Sequence, residues 1–145
     1  MATDDHPRLP DRGVHPPGTS GRWVSCERGG VLAKAGVVCL GMGGNVPGYR
    51  IERPLSLDHI VIITTAGEGW LDAGDGRRCV GMGSIVLLPA GGAHAYGVDR
   101  GSWQLVWLHI DGRRRLPGLP TRAVIRPIRS TLASAIAGLA EEHAG

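Results

Sequence analysis

The stretch that decides the fold is Gly83-Ser-Ile-Val-Leu-Leu-Pro89-Ala-Gly91-Gly-Ala-His94. Gly83 allows a turn into a buried apolar strand, and Pro89 ends that strand because proline has no N–H for a sheet ladder. Gly91 permits a chain reversal, after which His94 enters the next strand with its side chain inside a barrel. The spacing therefore predicts two consecutive strands joined by a tight turn, with a histidine at the start of the second.

Short apolar runs separated by turn residues lie on both sides of this stretch. Residues 43–45 and 67–69 read as strand ends, and Gly74-Asp75-Gly76 carries the Asp-Gly pair that is a strong hairpin signal. No helical pattern lies between the runs, so the chain is predicted to form an antiparallel sandwich or barrel. The seven predicted strands are residues 37–42, 59–66, 70–72, 77–80, 84–88, 93–98 and 103–110.

Residues 83–94 resemble the second motif of the cupin fold, G-x5-P-x-G-x2-H, at every fixed position. The resemblance implies an all-β chain that forms a cupin, or double-stranded β-helix jelly-roll, barrel. Metal-binding cupins supply an H-x-H pair and a Glu from the preceding hairpin, whereas here His59 is followed by apolar residues. We therefore predict no metal, no cofactor and no catalytic residue. A small metal-dependent cupin enzyme using His59, His94 and His109 stays the alternative.

The order of motifs from Glu52 onward is more specific. An Arg53-Pro-Leu step, a Gly-x-Gly element, the block from Pro89 to Tyr96-Gly97 and a Trp103-x-x-x-Trp107 strand follow one another. This order resembles the N-terminal arabinose-binding domain of the AraC family over roughly residues 37–112. The resemblance implies an effector-sensing and dimerisation domain that is not an enzyme. It also implies a small-molecule effector, with carbohydrate as one candidate, a homodimer, and DNA contacts only through a C-terminal helix-turn-helix domain outside this chain.

The same resemblance implies four ligand-binding residues: Arg53, His94, Tyr96 and Trp107. In the family an Arg binds sugar hydroxyls, a Trp stacks on the apolar face of the sugar, and a Tyr and polar residues complete the pocket. Each residue also has a structural alternative. Arg53 can pair with a neighbouring carboxylate (Glu52 or Asp58), Trp107 can be plain core, and His94 can be structural.

Two positions depart from the sugar-binding pattern. Leu105 stands where the sugar-binding member has a His, and Ala95 replaces another polar side chain. The pocket is therefore expected to be more apolar, and the effector need not be a sugar.

Trp70 and Trp103 are assigned to packing. A free-standing sugar-binding or storage-type cupin with no DNA role is a further alternative.

Length and composition fit one domain in three parts. The 145 residues are 42% hydrophobic and 20% charged, as in an ordinary globular protein. Residues 1–21 hold four of the ten prolines and little apolar surface, which predicts an N-terminal arm that is mobile or laid across the domain. Residues 22–112 form the predicted barrel. Residues 113–145 are predicted to form a basic linker and a dimerisation helix, with Leu132, Ile136 and Leu139 on one face.

Charge, cysteine spacing and hydropathy limit the partners, the disulfide content and the localisation that we expect. Arginines crowd residues 113–129, which suits a solvated linker better than a phosphate-binding surface because no recognition helix accompanies them. Three widely spaced cysteines, without a CxxC, suggest reduced thiols rather than a disulfide framework. No apolar run is long enough to span a bilayer and no signal peptide is evident, so we expect a cytoplasmic protein without a membrane partner.

Overall fold

The computed structural model describes residues 12–26 and 29–127. These residues form an almost entirely β structure, as predicted, with one single-turn helix. The predicted C-terminal helix lies outside the described residues. The strands are β1 (Arg12–Val14), β2 (Ser20–Ser25), β3 (Val37–Asn45), β4 (Arg50–Arg53), β5 (Asp58–Asp72), β6 (Arg77–Gly81), β7 (Ser84–Leu88), β8 (His94–Gly97), β9 (Trp103–Asp111) and β10 (Val124–Pro127), and helix α1 is Val31–Lys34.

The strands pair antiparallel in the order β1-β4-β8-β5-β9-β3-β2, with β6 on β5 and with β7 between β5 and β10. β5 organises this arrangement because its two ends pair with different partners. Its first half pairs with β7 and β9, and its last residues pair with β6 and β8. The long strand thus carries the chain from one wall of the barrel into the other, which is how the sheet curls into a jelly roll.

One predicted break is wrong. Gly67, Glu68 and Gly69 do not end a strand but lie inside the 15-residue β5. The pairing with β9 shifts between Thr64 and Ala66, and Gly67 adopts a left-handed φ of 73°. These irregularities bend the strand without ending it, as a β-bulge does. The glycines therefore mark a corner of the barrel, and the predicted strands 59–66 and 70–72 are one.

The motif that decided the fold behaves as predicted. β7 ends at Leu88, directly before Pro89, and β8 begins at His94. Between them Gly91 has a φ of 96°, a conformation that glycine adopts without steric penalty. The hairpin predicted at Gly74-Asp75-Gly76 joins β5 to β6, and Asp72 Oδ1 accepts a hydrogen bond of 2.9 Å from the Gly74 N–H.

Five short elements escaped prediction: β1, β2, β4, β10 and α1. Their sequences are too short to show a clear alternation of apolar and polar residues. In β1, all three residues are exposed, so no apolar face marks it as a strand. β1 pairs with β4, so residues 12–14 of the predicted arm lie along the barrel wall. β10 lies within the stretch predicted as a basic linker and pairs with β7.

The core fills one end of the barrel, and a second cluster lies on the outer face of the sheet. Trp103, Leu71, Val80 and Val86 are fully buried and pack in the interior. The outer cluster is centred on Leu40 and Val106, with Leu32 of α1 packed against it. Neighbouring residues of β9 therefore point to opposite faces, as the two-residue period of a strand requires.

Candidate ligand-binding site

A cavity of about 480 Å³ occupies the other end of the barrel interior. Its volume lies within the range of small-molecule sites, roughly 300–1,000 Å³. Three of the four predicted ligand residues, Arg53, Tyr96 and Trp107, line it; His94 does not. We call this space the first cavity. Its walls also include Thr19, Cys39, Asn45, Tyr49, Ile51, Leu105 and His109.

The period of the strands brings these side chains together. On β9, alternate residues Leu105, Trp107 and His109 face the cavity. Opposite Trp107 in the neighbouring strand stands Gly41. A Cβ at Gly41 would lie 2.5 Å from Trp107 Cζ2, so only glycine leaves room for the indole in this position. Small residues on β3 therefore create the space that the tryptophan partly fills.

Arg53, Tyr96 and His94 form a hydrogen-bonded group on β4 and β8. The strand register places Arg53 directly opposite His94. Arg53 Nη1 donates to the Tyr96 hydroxyl at 2.9 Å and lies 3.3 Å from His94 Nε2. Since a guanidinium only donates, His94 Nε2 accepts and its proton is on Nδ1. Arg53 and Tyr96, both predicted as ligand-binding residues, are thus joined by a hydrogen bond.

His94 is held neutral in this position. Burial, the neighbouring Arg53 and then His109 lower the pKa of His94 to about 3. Its ring stacks on Tyr96 with centroids 6.0 Å apart. His94 therefore contacts both Arg53 and Tyr96 without lining the first cavity. It lines a different cavity.

Three polar residues of the first cavity were missed in the sequence. Asn45 and Thr19 are among its lining residues, and the buried Asn45 Nδ2 and Thr19 Oγ1 have no hydrogen-bond partner in the described part of the chain. Burial raises the pKa of Tyr49 well above its usual range, so its phenol stays protonated and able to donate. The sequence predicts a strand end at residues 43–45, but β3 continues through Asn45. Gly41, Gly43 and Asn45 are spaced two residues apart, as on one face of a strand. This spacing was the signal that could have placed Asn45 in β3.

The N-terminal segment closes one side of the first cavity. His15, Thr19, Arg22 and Trp23 are among the lining residues. The His15 ring meets Tyr49 edge to face at 5.5 Å between centroids. Since β1 pairs with β4 and β2 pairs with β3, both walls of the cavity are in contact with this segment.

The three histidines considered as metal ligands have different surroundings. His59 Nδ1 accepts from the Ala90 N–H at 3.0 Å, and its Nε2 donates to the Arg114 carbonyl at 2.9 Å. Both ring nitrogens of His59 are therefore engaged with backbone. His109 Nδ1 lies 3.1 Å from Asp58 Oδ2. Among residues 12–26 and 29–127, no cluster of three or more His, Cys, Asp or Glu side chains is arranged to hold a metal ion.

The two departures from the sugar-binding pattern fall in different places. Leu105 lines the first cavity and makes that wall apolar. Ala95 is buried but pairs with Glu52 and Asp72 across the sheet and is not a lining residue. Of the two departures, only Leu105 therefore changes the surface of the first cavity.

Part of the basic stretch is tied to the barrel. The Arg113 guanidinium binds both carboxylate oxygens of Asp111 and, with the Arg113 N–H, lowers the pKa of that carboxyl to about 2. Arg114 Nη2 donates to the Lys34 carbonyl at 2.7 Å.

Within the described ranges, no helix has the length and hydropathy needed to cross a lipid bilayer.

Similarity to known proteins agrees with this geometry. The family model of the AraC-like ligand binding domain matches residues 41–137. The chain belongs to this family. The MmsAB operon regulatory protein of Pseudomonas aeruginosa is 33% identical over 69 residues, which cover 44% of this chain and 22% of that protein. The match thus spans about a fifth of the length of that relative.

Solved structures with a similar backbone are cupins. The pirin of Escherichia coli, solved with nickel(II), aligns with a TM-score of 0.60 at 11% identity, over 81% of this chain and 55% of that one. A cupin superfamily protein of Desulfitobacterium hafniense gives 0.53 at 10% identity, over 68% and 82%. Oxalate decarboxylase of Bacillus subtilis gives 0.53 at 18% identity, over 77% and 29%. At such identities the likeness establishes the fold alone, and the predicted cupin barrel is confirmed.

Proposed function

We propose that this AraC-like domain senses a small hydroxylated molecule, with carbohydrate as the leading class, that binds in the first cavity. The observation that carries the proposal is the combination of groups on its walls. Arg53 and Tyr96 form a polar pair, and Trp107 presents an aromatic face. Asn45 and Thr19 have buried polar atoms without a hydrogen-bond partner among the described residues. A buried polar atom without a partner costs about 1–3 kcal/mol, which a ligand hydroxyl would recover.

The walls are also divided by polarity in the way a sugar ring requires. A pyranose has hydroxyls around its rim and C–H groups on its faces, so it needs hydrogen-bonding groups on some sides and a flat apolar surface on another. Arg53, Tyr49 and Asn45 supply the first, and Trp107 with Leu105 supplies the second. Leu105 favours a ligand with a larger apolar face than arabinose.

The response to binding would pass through the N-terminal segment. Its residues His15, Thr19 and Trp23 line the first cavity, so an occupied and an empty cavity offer them different contacts. We propose that this difference controls a helix-turn-helix domain outside this chain, in a homodimeric regulator. The proposal draws on family membership and on a relative that is a regulatory protein of an operon.

A thermal-shift screen of the chain against sugars, sugar acids and small aromatics tests the proposal. A compound that raises the melting temperature equally with and without EDTA supports it. Trp107→Ala and Arg53→Gln should each abolish that shift. Arg100→Gln, an exposed arginine that does not line the first cavity, is the control and should keep the full shift. The same shift in all three variants would contradict binding in the first cavity.

The metal-dependent enzyme is tested in the same experiment. That alternative needs His59, His94 and His109 together, whereas both nitrogens of His59 engage backbone groups. Stabilisation only by iron, zinc or manganese, reversed by EDTA, would favour the enzyme over the sensor. Metal content of the purified protein, measured by mass spectrometry, gives an independent answer.

A further inference from the structure

A second cavity lies on the other side of His94. It has a volume of about 570 Å³ and is formed by the β5–β6 turn, the β7–β8 turn and residues 121–123. His94 lines this second cavity, while Arg53, which His94 contacts, lines the first. The two spaces therefore have separate walls that meet at one histidine.

The charge of the second cavity is positive. Two arginines, Arg78 and Arg122, line it, and Asp75 is the single carboxylate residue among its described walls. The Arg78 Nε is buried and has no hydrogen-bond partner within the described residues. A buried guanidinium N–H without an acceptor is costly, and the groups that best satisfy it are carboxylate and phosphate oxygens.

The β7–β8 turn leaves this side of the cavity open to a ligand. Gly91 and Gly92 form part of the wall, and a Cβ at Gly91 would meet nothing within 4 Å. Two of the turn's N–H groups are engaged within the barrel, since Ala90 donates to His59 and Gly91 donates to the Ser56 carbonyl. The positively charged hydrogen-bond donors on the described walls of the second cavity are Arg78 and Arg122.

We propose that the second cavity is a binding site for a small oxyanion, the carboxylate or phosphate group of a small molecule, held by Arg78 and Arg122. Each guanidinium presents a planar fork that matches two oxygens of such a group. Asp75 limits the net charge of the walls, which favours a single anionic group over a polyanion. The inference is independent of the ligand proposed for the first cavity, because the lining residues of the two spaces do not overlap.

Calorimetric titration of the whole chain with sodium phosphate and with sodium acetate tests the proposal, at constant ionic strength with chloride as the reference anion. We expect saturable binding of at least one oxyanion, and the stronger of the two identifies the source of the group. Arg78→Met and Arg122→Gln should each weaken it by about tenfold or more. Arg78→Lys keeps the charge but not the fork and should fall between. Arg100→Gln, an exposed arginine that lines neither cavity, should leave the affinity unchanged.

Three results would overturn the assignment. The first is no saturable binding of either anion above the chloride reference. The second is unchanged affinity in both Arg78→Lys and Arg122→Gln. Both variants are expected to fold, because the first keeps the charge at a partly buried position and the second changes an exposed residue. The third is binding that is lost in Arg53→Gln but kept in Arg78→Met, which would place the anion in the first cavity. Circular dichroism melts of every variant confirm that each compared protein is folded.

Discussion

Trp103 and Trp107 lie four residues apart on the same face of β9, yet they occupy opposite kinds of environment. Trp103 is fully buried, its Nε1 donates to Thr64 Oγ1 at 2.8 Å, and its ring meets Tyr96 edge to face. Trp107 is half-buried and lines the first cavity. One end of the barrel is therefore closed by a tryptophan, and the other end is open beside one.

The neighbours make this difference, not the tryptophans. A glycine makes room for each ring: Gly69 lies against Trp103 and Gly41 against Trp107. At the closed end, Trp103 belongs to a cluster of buried side chains that includes Leu71. At the open end the adjacent strand also carries Gly43, and space remains. An indole with its other faces covered stabilises the fold, whereas one with a face uncovered is available to a ligand.

The largest expected effect separates the two ends directly. Trp103→Ala should lower the free energy of unfolding by about 4 kcal/mol, because it removes a large core side chain and leaves a cavity. Trp107→Ala should cost about 1 kcal/mol, since its ring already borders a cavity. Urea denaturation followed by circular dichroism measures both. Equal losses in the two variants would show that Trp107 is ordinary core.

The second prediction concerns the room beside Trp107. Gly41→Ala should destabilise the fold by about 2 kcal/mol, because the new Cβ would lie 2.5 Å from the indole and 2.6 Å from the Arg22 carbonyl oxygen. Gly81→Ala is the matched control, a strand glycine whose added Cβ would meet nothing within 4 Å. Urea denaturation of both variants measures the contrast. A Gly41→Ala protein as stable as the Gly81→Ala protein would mean that β3 yields easily at this point.

Much of this arrangement could be predicted because it rests on local chemistry. The turn from Pro89 to His94 depends on residues with fixed backbone preferences, and the two-residue period places Trp103 and Trp107 on one face. The extent of β5 could not be predicted in the same way. A glycine inside a bent strand and a glycine in a turn look alike locally, and only pairing with β9 distinguishes them.

The site was predicted in part for a similar reason. Arg53, Tyr96 and Trp107 were suggested by family resemblance, and the fold brings them to one cavity. Asn45 and Thr19 lie in segments read as a strand end and as an arm. Their place depends on β2 pairing with β3 and on β3 reaching Asn45, contacts between distant residues that no local pattern specifies.

The third prediction uses pH to test the contact between Arg53 and the neutral His94. The pKa of His94 is about 3 in the folded chain, below the value of about 6.5 expected when unfolded. A lowered pKa gives stability that is present above about pH 6.5 and is lost as pH falls toward 3. Between pH 7 and pH 5 the loss from His94 should be about 2 kcal/mol.

His94→Gln is the control for that pH dependence. Its side-chain oxygen can accept from Arg53 but does not titrate, so the variant should lose about 2 kcal/mol less than the unaltered chain over the same interval. Urea denaturation at pH 7 and pH 5 supplies all four values. Parallel pH profiles for the two proteins would mean that His94 is already protonated or solvated, and that Arg53 does not donate to it.

The smallest expected effect tests the hydrogen bond that closes the barrel beside Trp103. Thr64→Val keeps the shape of a 2%-exposed side chain but leaves the Trp103 Nε1–H without its acceptor. The free energy of unfolding should fall by about 1.5 kcal/mol, the cost of an unsatisfied buried donor. Thr65→Val, at the exposed neighbouring position, should change it by less than about 0.5 kcal/mol. If both substitutions are neutral, apolar packing alone closes this end, and the difference between the two tryptophans rests entirely on the space that β3 leaves beside Trp107.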